Sequence, residues 1–133
     1  MTIAVDFDGT IVEHKYPKIG KEKPFAIDTL RSLQAEGHKL ILWTAREGEL
    51  LEEAIAFCKR HGLEFYAVND SVPNGGLFSN KGSGAKLLAD IYIDDRNLGG
   101  LPEWGEIYEI ICHKQVSRDK KKRRTRRFRL FSR

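Results

Sequence analysis

Two cysteines in 133 residues, Cys58 and Cys112, exclude a disulfide framework. Both lie in apolar stretches and read as buried free thiols. The four histidines (His14, His38, His61 and His113) are scattered, and none sits in a zinc-type spacing. No apolar run approaches the ~20 residues that cross a bilayer, so no transmembrane segment is expected. Met-Thr-Ile leads straight into an acidic motif, without a basic segment or a cleavage signature, and the expected compartment is the cytoplasm. No internal repeat is present. A length of 133 residues fits one domain with a sizeable core.

Charge is unevenly spread. The net value is +4, but residues 118–133 hold ten Lys/Arg and one Asp, and the rest of the chain is net −5. A mildly acidic body is thus followed by a polycationic tail. Blocks of like charge are usually solvated and irregular, so 117–133 is expected to be a flexible tail after a domain spanning 1–116. Nucleic acid or an anionic membrane are the partners such a segment would attract.

The most informative stretch is Ile3-Ala4-Val5-Asp6-Phe7-Asp8-Gly9-Thr10. An apolar run ends in two carboxylates one residue apart. Residues i and i+2 of an extended segment share a side, so Asp6 and Asp8 can enter one small space. Like charges so close repel, and a divalent cation, a shared proton or a reacting phosphoryl group would each explain them. The competing reading is a hairpin turning at Asp8-Gly9, with arms 3–7 and 10–14.

The remaining pattern favours an α/β domain with a parallel sheet. Strands are expected at 3–6, 39–43, 65–68, 91–93 and 106–112. Helices are expected from Pro24 to Gly37, with a stripe of Phe25, Ile27, Leu30 and Leu33, and over 47–60, with a face of Leu50, Leu51, Ala54, Ile55 and Cys58. A long Asn-, Ser- and Gly-rich loop covers 69–85. A helix after Asp6 allows a right-handed crossover, which weakens the hairpin. Thr44 and Asp94-Asp95 follow apolar strands, and Lys86 precedes one. In open α/β sheets, ligands bind outside the carboxyl ends of the strands.

Taken in order, Asp6-Phe7-Asp8-Gly9-Thr10, the strand ending at Thr44, a lysine before the last strand, and Asp94-Asp95 resemble the four motifs of the haloacid dehalogenase superfamily. The resemblance covers about residues 1–112. It implies a Rossmann-like, three-layer α/β domain with a mainly parallel sheet. Neither gap between motifs has room for the inserted cap domain of many relatives, so an uncapped type is expected, closed by a second copy or acting on large substrates.

The resemblance further implies Mg²⁺-dependent phosphoryl transfer through an aspartyl phosphate. Asp6 would be the nucleophile, and Asp8 the general acid and base. Asp6, the backbone carbonyl of Asp8 and Asp94 would hold the metal, with Asp95 behind them. Thr44 and Lys86 would bind phosphoryl oxygens, with Lys81 competing for the lysine role. Phe7 and Gly9 would offer backbone N–H groups to the substrate, and Thr10 would support their loop. Arg46 would grip a second anionic group, or pair with Glu47 or Glu49. His14, Tyr16 and Lys21 lie on a candidate flap, 13–23. The expected substrate is a small phosphomonoester. The alternatives are phosphorylated nucleic-acid termini recruited by the basic tail, and a nucleic-acid-binding adaptor without turnover.

Overall fold

Four short apolar runs form one all-parallel sheet: β1 (Thr2–Val5), β2 (Lys39–Leu42), β3 (Ala67–Val68) and β4 (Ile91–Ile93). A computed structural model describes residues 1–81 and 86–131, divided into two units, Met1–Leu101 and Pro102–Arg133. In the first unit α1 (Ala26–Ala35) joins β1 to β2, and α2 (Gly48–Arg60) joins β2 to β3. The expected fold class holds: the unit is mixed α/β and Rossmann-like. The hairpin reading fails, because β1 pairs with β2 and β4 and not with 10–14.

Sheet order is β3-β2-β1-β4. Successive strands step one way from β1, and β4 then returns to the other side of β1. The carboxyl ends of β1 and β4 therefore flank a topological switch point, the place where such sheets bind ligands. Val5 pairs with Ile93, and the Asp6 N–H donates to the Ile93 carbonyl at 2.9 Å, so the ladder carries Asp6 and Asp94 to the same level.

Strand residues alternate between two covered faces. Ala4, Ile41 and Ala67 pack with Leu87 on one of them, beside Tyr92 and Ala89, and the Tyr92 hydroxyl donates to the Leu87 carbonyl. Ile3, Val5, Leu40 and Leu42 point the other way and are also buried. Burial on both faces is why these strands read as unbroken apolar runs.

α1 starts two residues later than expected. Phe25 has φ +64° and is exposed, so it lies outside the stripe, which Ala26, Ile27, Leu30 and Leu33 form instead. The Glu22 carboxylate accepts the Ile27 N–H at 3.1 Å and caps the helix from a distance in sequence. On α2 only Ala54 and Cys58 are fully buried; Leu50, Leu51 and Ile55 are half-buried. Burial pushes the Cys58 thiol up to about 12, which leaves it unreactive, whereas Cys112 is only half-buried.

Residues 11–13 and 21–23 pair as antiparallel backbone, with Glu13 N–H on the Lys21 carbonyl at 2.7 Å and Lys23 N–H on the Ile11 carbonyl at 2.9 Å. The flap is thus a two-stranded arm with its tip at 14–20. The loop from 69 is braced internally. Asp70 accepts from the Ser79 hydroxyl at 2.6 Å, and Asn80 accepts from the Ser71 N–H at 2.7 Å. Its last four residues, 82–85, lie outside the described residues, as do 132–133 of the tail.

The second unit corrects two expectations. Residues 106–112, expected as a strand, belong to α3 (Trp104–Phe131). The short β-branched run suggested a strand, but its buried positions, Trp104, Ile107 and Ile111, recur at helical spacing. The helix also runs through the expected 116/117 boundary, and the basic segment is helical to Phe131. Lysine and arginine are good helix formers, and the preceding turns supply the nucleus that an isolated basic stretch would lack.

Candidate active site at the switch point

Asp6 leaves β1, and Asp94 and Asp95 leave β4. One carboxylate oxygen from each lies within 4.8 Å of the others, the one such group of His, Cys, Asp or Glu among the described residues. Burial, followed by the charge of Asp94 and a hydrogen bond with Asp95, pushes the Asp6 carboxyl up to about 7. The Phe7 backbone N–H and the Thr10 hydroxyl oppose the shift but do not cancel it.

Thr10 is fully buried beneath the acids. Its hydroxyl lies 3.1 Å from Asp6 Oδ2 and 3.4 Å from Asp95 Oδ1, and its oxygen accepts the Asp95 N–H at 3.1 Å. One hydroxyl hydrogen serves the nearer carboxylate, Asp6, so Thr10 locks the two strand ends together. Gly9 makes this possible. Its φ is +83°, and a Cβ there would fall 2.3 Å from Asp95 Oδ2. Gly9→Ala is therefore expected to cost about 1–3 kcal/mol in a urea melt, from backbone strain and displacement of Asp95. A loss below ~0.5 kcal/mol would show that the turn relaxes freely.

Arg46 is the largest fully buried side chain. Its Nε and Nη2 donate to Asp8 Oδ2 and Oδ1 at 2.7 and 2.8 Å, a bidentate pair. Nη1 donates to the carbonyls of Pro17 and Leu50 at 3.2 and 3.3 Å, and Nη2 also to that of Lys18 at 3.1 Å. A guanidinium has five N–H donors, and all are engaged. Arg46 lines the cavity above the acids, but its donors are spent on the protein and none is left for the expected second anionic group, nor does it pair with Glu47 or Glu49. It ties Asp8 to the flap tip and to the first turn of α2. The bonds to Asp8 hold the guanidinium above its ordinary range.

A cavity of about 580 Å³ opens above these groups, and its lining includes Asp6, Asp8, Thr44 and Asp94. Thr44 is anchored by its N–H on Asn69 Oδ1 at 2.8 Å and by the Arg46 N–H on its own hydroxyl oxygen at 3.1 Å. Several expected residues are elsewhere. Phe7, Gly9 and Thr10 are buried below the cavity, and the Gly9 N–H already donates to the Val12 carbonyl at 2.8 Å. Lys86 is exposed, with its ammonium 4.9 Å from the centre of the Tyr92 ring, and it does not line the cavity. Lys81 lines a different hollow, beside Tyr66 and Asp70. Tyr92 sits opposite Ala4, below the strand ends, so proximity of Lys86 to β4 in sequence did not carry it to the acids.

His14 and Tyr16 of the flap do reach the cavity wall, joined by Trp43, Ala45 and Arg96, which sequence reasoning missed. Arg96 had a signal: it follows Asp94-Asp95 directly, and its N–H donates to Asp94 Oδ1 at 2.9 Å.

No protein-family model matches the chain. A search of curated proteins likewise finds no match. Among solved structures, one described as a conserved protein coded by a locus of Bacteroides thetaiotaomicron is similar, with 61% sequence identity and a TM-score of 0.79. The match covers 86% of this chain and 91% of that one. Likeness at this level over nearly the full length of both chains extends from fold to ancestry, and the chain belongs to the same family as that conserved Bacteroides protein.

Proposed function

We propose that the chain is a Mg²⁺-dependent phosphatase of haloacid dehalogenase type, acting on a phosphomonoester. One observation carries this reading: carboxylates of Asp6, Asp94 and Asp95 from two neighbouring strand ends converge, and two of them, Asp6 and Asp94, line an open cavity. The donor set suits a hard divalent cation, because it offers oxygens only, and burial followed by the charge of Asp94 already raises Asp6 to about 7. Asp6, Asp94 and Asp95 would hold the ion, so Asp95 moves from a supporting role to a ligand. When bound, Mg²⁺ neutralises charge between an anionic nucleophile and an anionic substrate.

In this reading an Asp6 oxygen bonds to phosphorus as the bond to the leaving oxygen breaks, and Asp8, entering the step in its protonated form, gives that oxygen its proton and is left as the carboxylate paired with Arg46. Asp8 then takes a proton from water, which attacks phosphorus, releases phosphate and restores Asp6. Arg46 occupies one lone-pair site on each Asp8 oxygen, leaving another on each for this traffic. Thr44 and Arg96 both line the cavity, and their hydroxyl and guanidinium would meet phosphoryl oxygens, the part the resemblance implies for Thr44 and Lys86. A cytoplasmic enzyme whose uncapped site is closed by its flap and by a second copy fits the same reading.

Phosphate release from a panel of phosphomonoesters, with Mg²⁺ and with EDTA, tests it. Mg²⁺-dependent turnover on at least one ester is expected. A panel with no release, or release indifferent to EDTA, would overturn the proposal. No helix among the described residues is long and apolar enough to cross a membrane, so the assay needs no lipid.

A further inference from the structure

The phosphatase reading leaves the C-terminal half of α3 without a role. Its side chains from residue 117 to 130 are all exposed. Arg118, Lys121, Lys122, Arg123, Arg126 and Arg129, with Thr125, line one shallow groove along it, while Lys120, Arg124 and Arg127 add cations around the remaining circumference. Asp119 is the last acidic residue of the chain. Arg124, Arg126 and Arg127 have no acidic side chain within four residues in sequence. Pairs such as Lys122–Arg126 and Arg123–Arg127 instead set like charges four residues apart, where they repel. The helix thus presents a dense line of positive charge with little internal neutralisation.

A membrane surface would need an apolar face along the helix. From residue 117 to 127 no apolar side chain is present, and exposed Phe128 and Leu130 occupy only the last turn. Charge on every side suits a partner with phosphates on more than one side of the helix. The major groove of a nucleic-acid duplex is such a partner: in B-form it is about 12 Å wide, the diameter of a helix with its side chains. Residues 118–129 span about 17 Å, against roughly one phosphate per 1.7 Å of duplex. The segment lacks Asn and Gln, which read adenine, and its cations point to every side of the helix, so most of them meet phosphates rather than base edges.

We infer that the basic half of α3, residues 118–129, docks on a nucleic-acid duplex through its phosphate backbone, independently of base sequence. The inference stands apart from the phosphatase reading and is tested without turnover. Anisotropy of a labelled 20-bp DNA duplex and of an RNA duplex of the same length is measured with the full chain from 50 to 300 mM salt. Binding is expected to weaken with a log–log slope of about −4 to −5, the value for some five displaced counterions. Replacing Arg123, Arg124, Arg126 and Arg127 with Gln keeps helix propensity and removes four charges. That variant should lose at least 100-fold in affinity at 50 mM salt and about three units of slope, with an unchanged far-UV circular dichroism spectrum. The DNA duplex is expected to bind the tighter, because the major groove of A-form RNA is deep and narrow; binding to the RNA duplex alone would overturn the inference. Absence of binding at 50 mM salt, equal affinity of the variant, or binding to phosphatidylserine vesicles but to neither duplex would overturn it.

Discussion

Asp6→Asn is expected to lower Mg²⁺-dependent phosphate release by more than about 10³-fold while making the metal-free protein more stable at neutral pH. The two effects share a cause. Asp6 is crowded by Asp94 and Asp95 in a partly buried site, and its carboxyl stands at about 7 in the folded chain against 3.8 in an unfolded one. Between these values the native state holds the extra proton, so unfolding becomes easier as pH rises from about 4 to 7. Above 7 the full penalty is present; below about 4 it vanishes. A three-unit shift corresponds to ~4 kcal/mol, and discounting for the solvent that still reaches Asp6 leaves about 2 kcal/mol. The neutral amide removes that penalty. Thermal melts in EDTA at pH 8 should place Asp6→Asn about 5 °C above the parent, with the difference closing by pH 4. Mg²⁺ should raise the melting temperature of the parent, because it binds the folded state alone, and should do so far less in the variant. A variant that keeps full activity would remove Asp6 as the nucleophile. Equal melting temperatures at pH 8 would show that the three acids do not strain the fold.

The largest loss of stability is expected from Arg46→Met. The substitution keeps much of the apolar volume but leaves the Asp8 carboxylate without its cation, and the carbonyls of Pro17, Lys18 and Leu50 without donors. Breaking a buried ion pair from one side costs about 3–5 kcal/mol, which for a chain of this size lowers the melting temperature by about 10–20 °C. Arg46→Lys should rescue little, since an ammonium offers three donors and no planar fork. Adding Asp8→Leu to Arg46→Met should recover part of the lost stability, because no charge is then stranded. In the phosphatase assay Arg46→Met should depress kcat more than it raises KM, because Arg46 spends its donors on Asp8 and backbone carbonyls and acts through the proton-transfer group it holds. A stability loss under ~1 kcal/mol would mean that the flap tip and Asp8 are held by something other than this guanidinium.

Arg46 also shows where reading the chain stops. Its place two residues beyond Thr44 marked it as close to the site, and that was correct. Whether it faces substrate or protein depends on Pro17, Lys18 and Leu50, whose carbonyls reach it only when the flap folds over α2. Thr10 is a similar case. Expected to support its loop, it proves to bridge Asp6 and Asp95, reaching the latter across 85 residues of sequence. Lys86 failed for the opposite reason. Its sequence position next to β4 suggested the site, but the segment approaches the strand from below, beside Tyr92.

Local chemistry settled what needs only neighbours in sequence. Apolar runs buried on both faces specified parallel strands, helical periodicity specified α1 and α2, and carboxylates at the ends of those runs placed acids at the rim of a sheet. Tertiary structure decided what depends on pairing. It placed β4 beside β1, and so brought Asp94 and Asp95 to Asp6; it spent every donor of Arg46 on the protein; and it continued α3 through a basic segment that looked irregular alone. The division has a physical reason. Periodicity reports which side of an element is apolar, whereas contacts between distant segments are chosen only as whole faces and edges pack together.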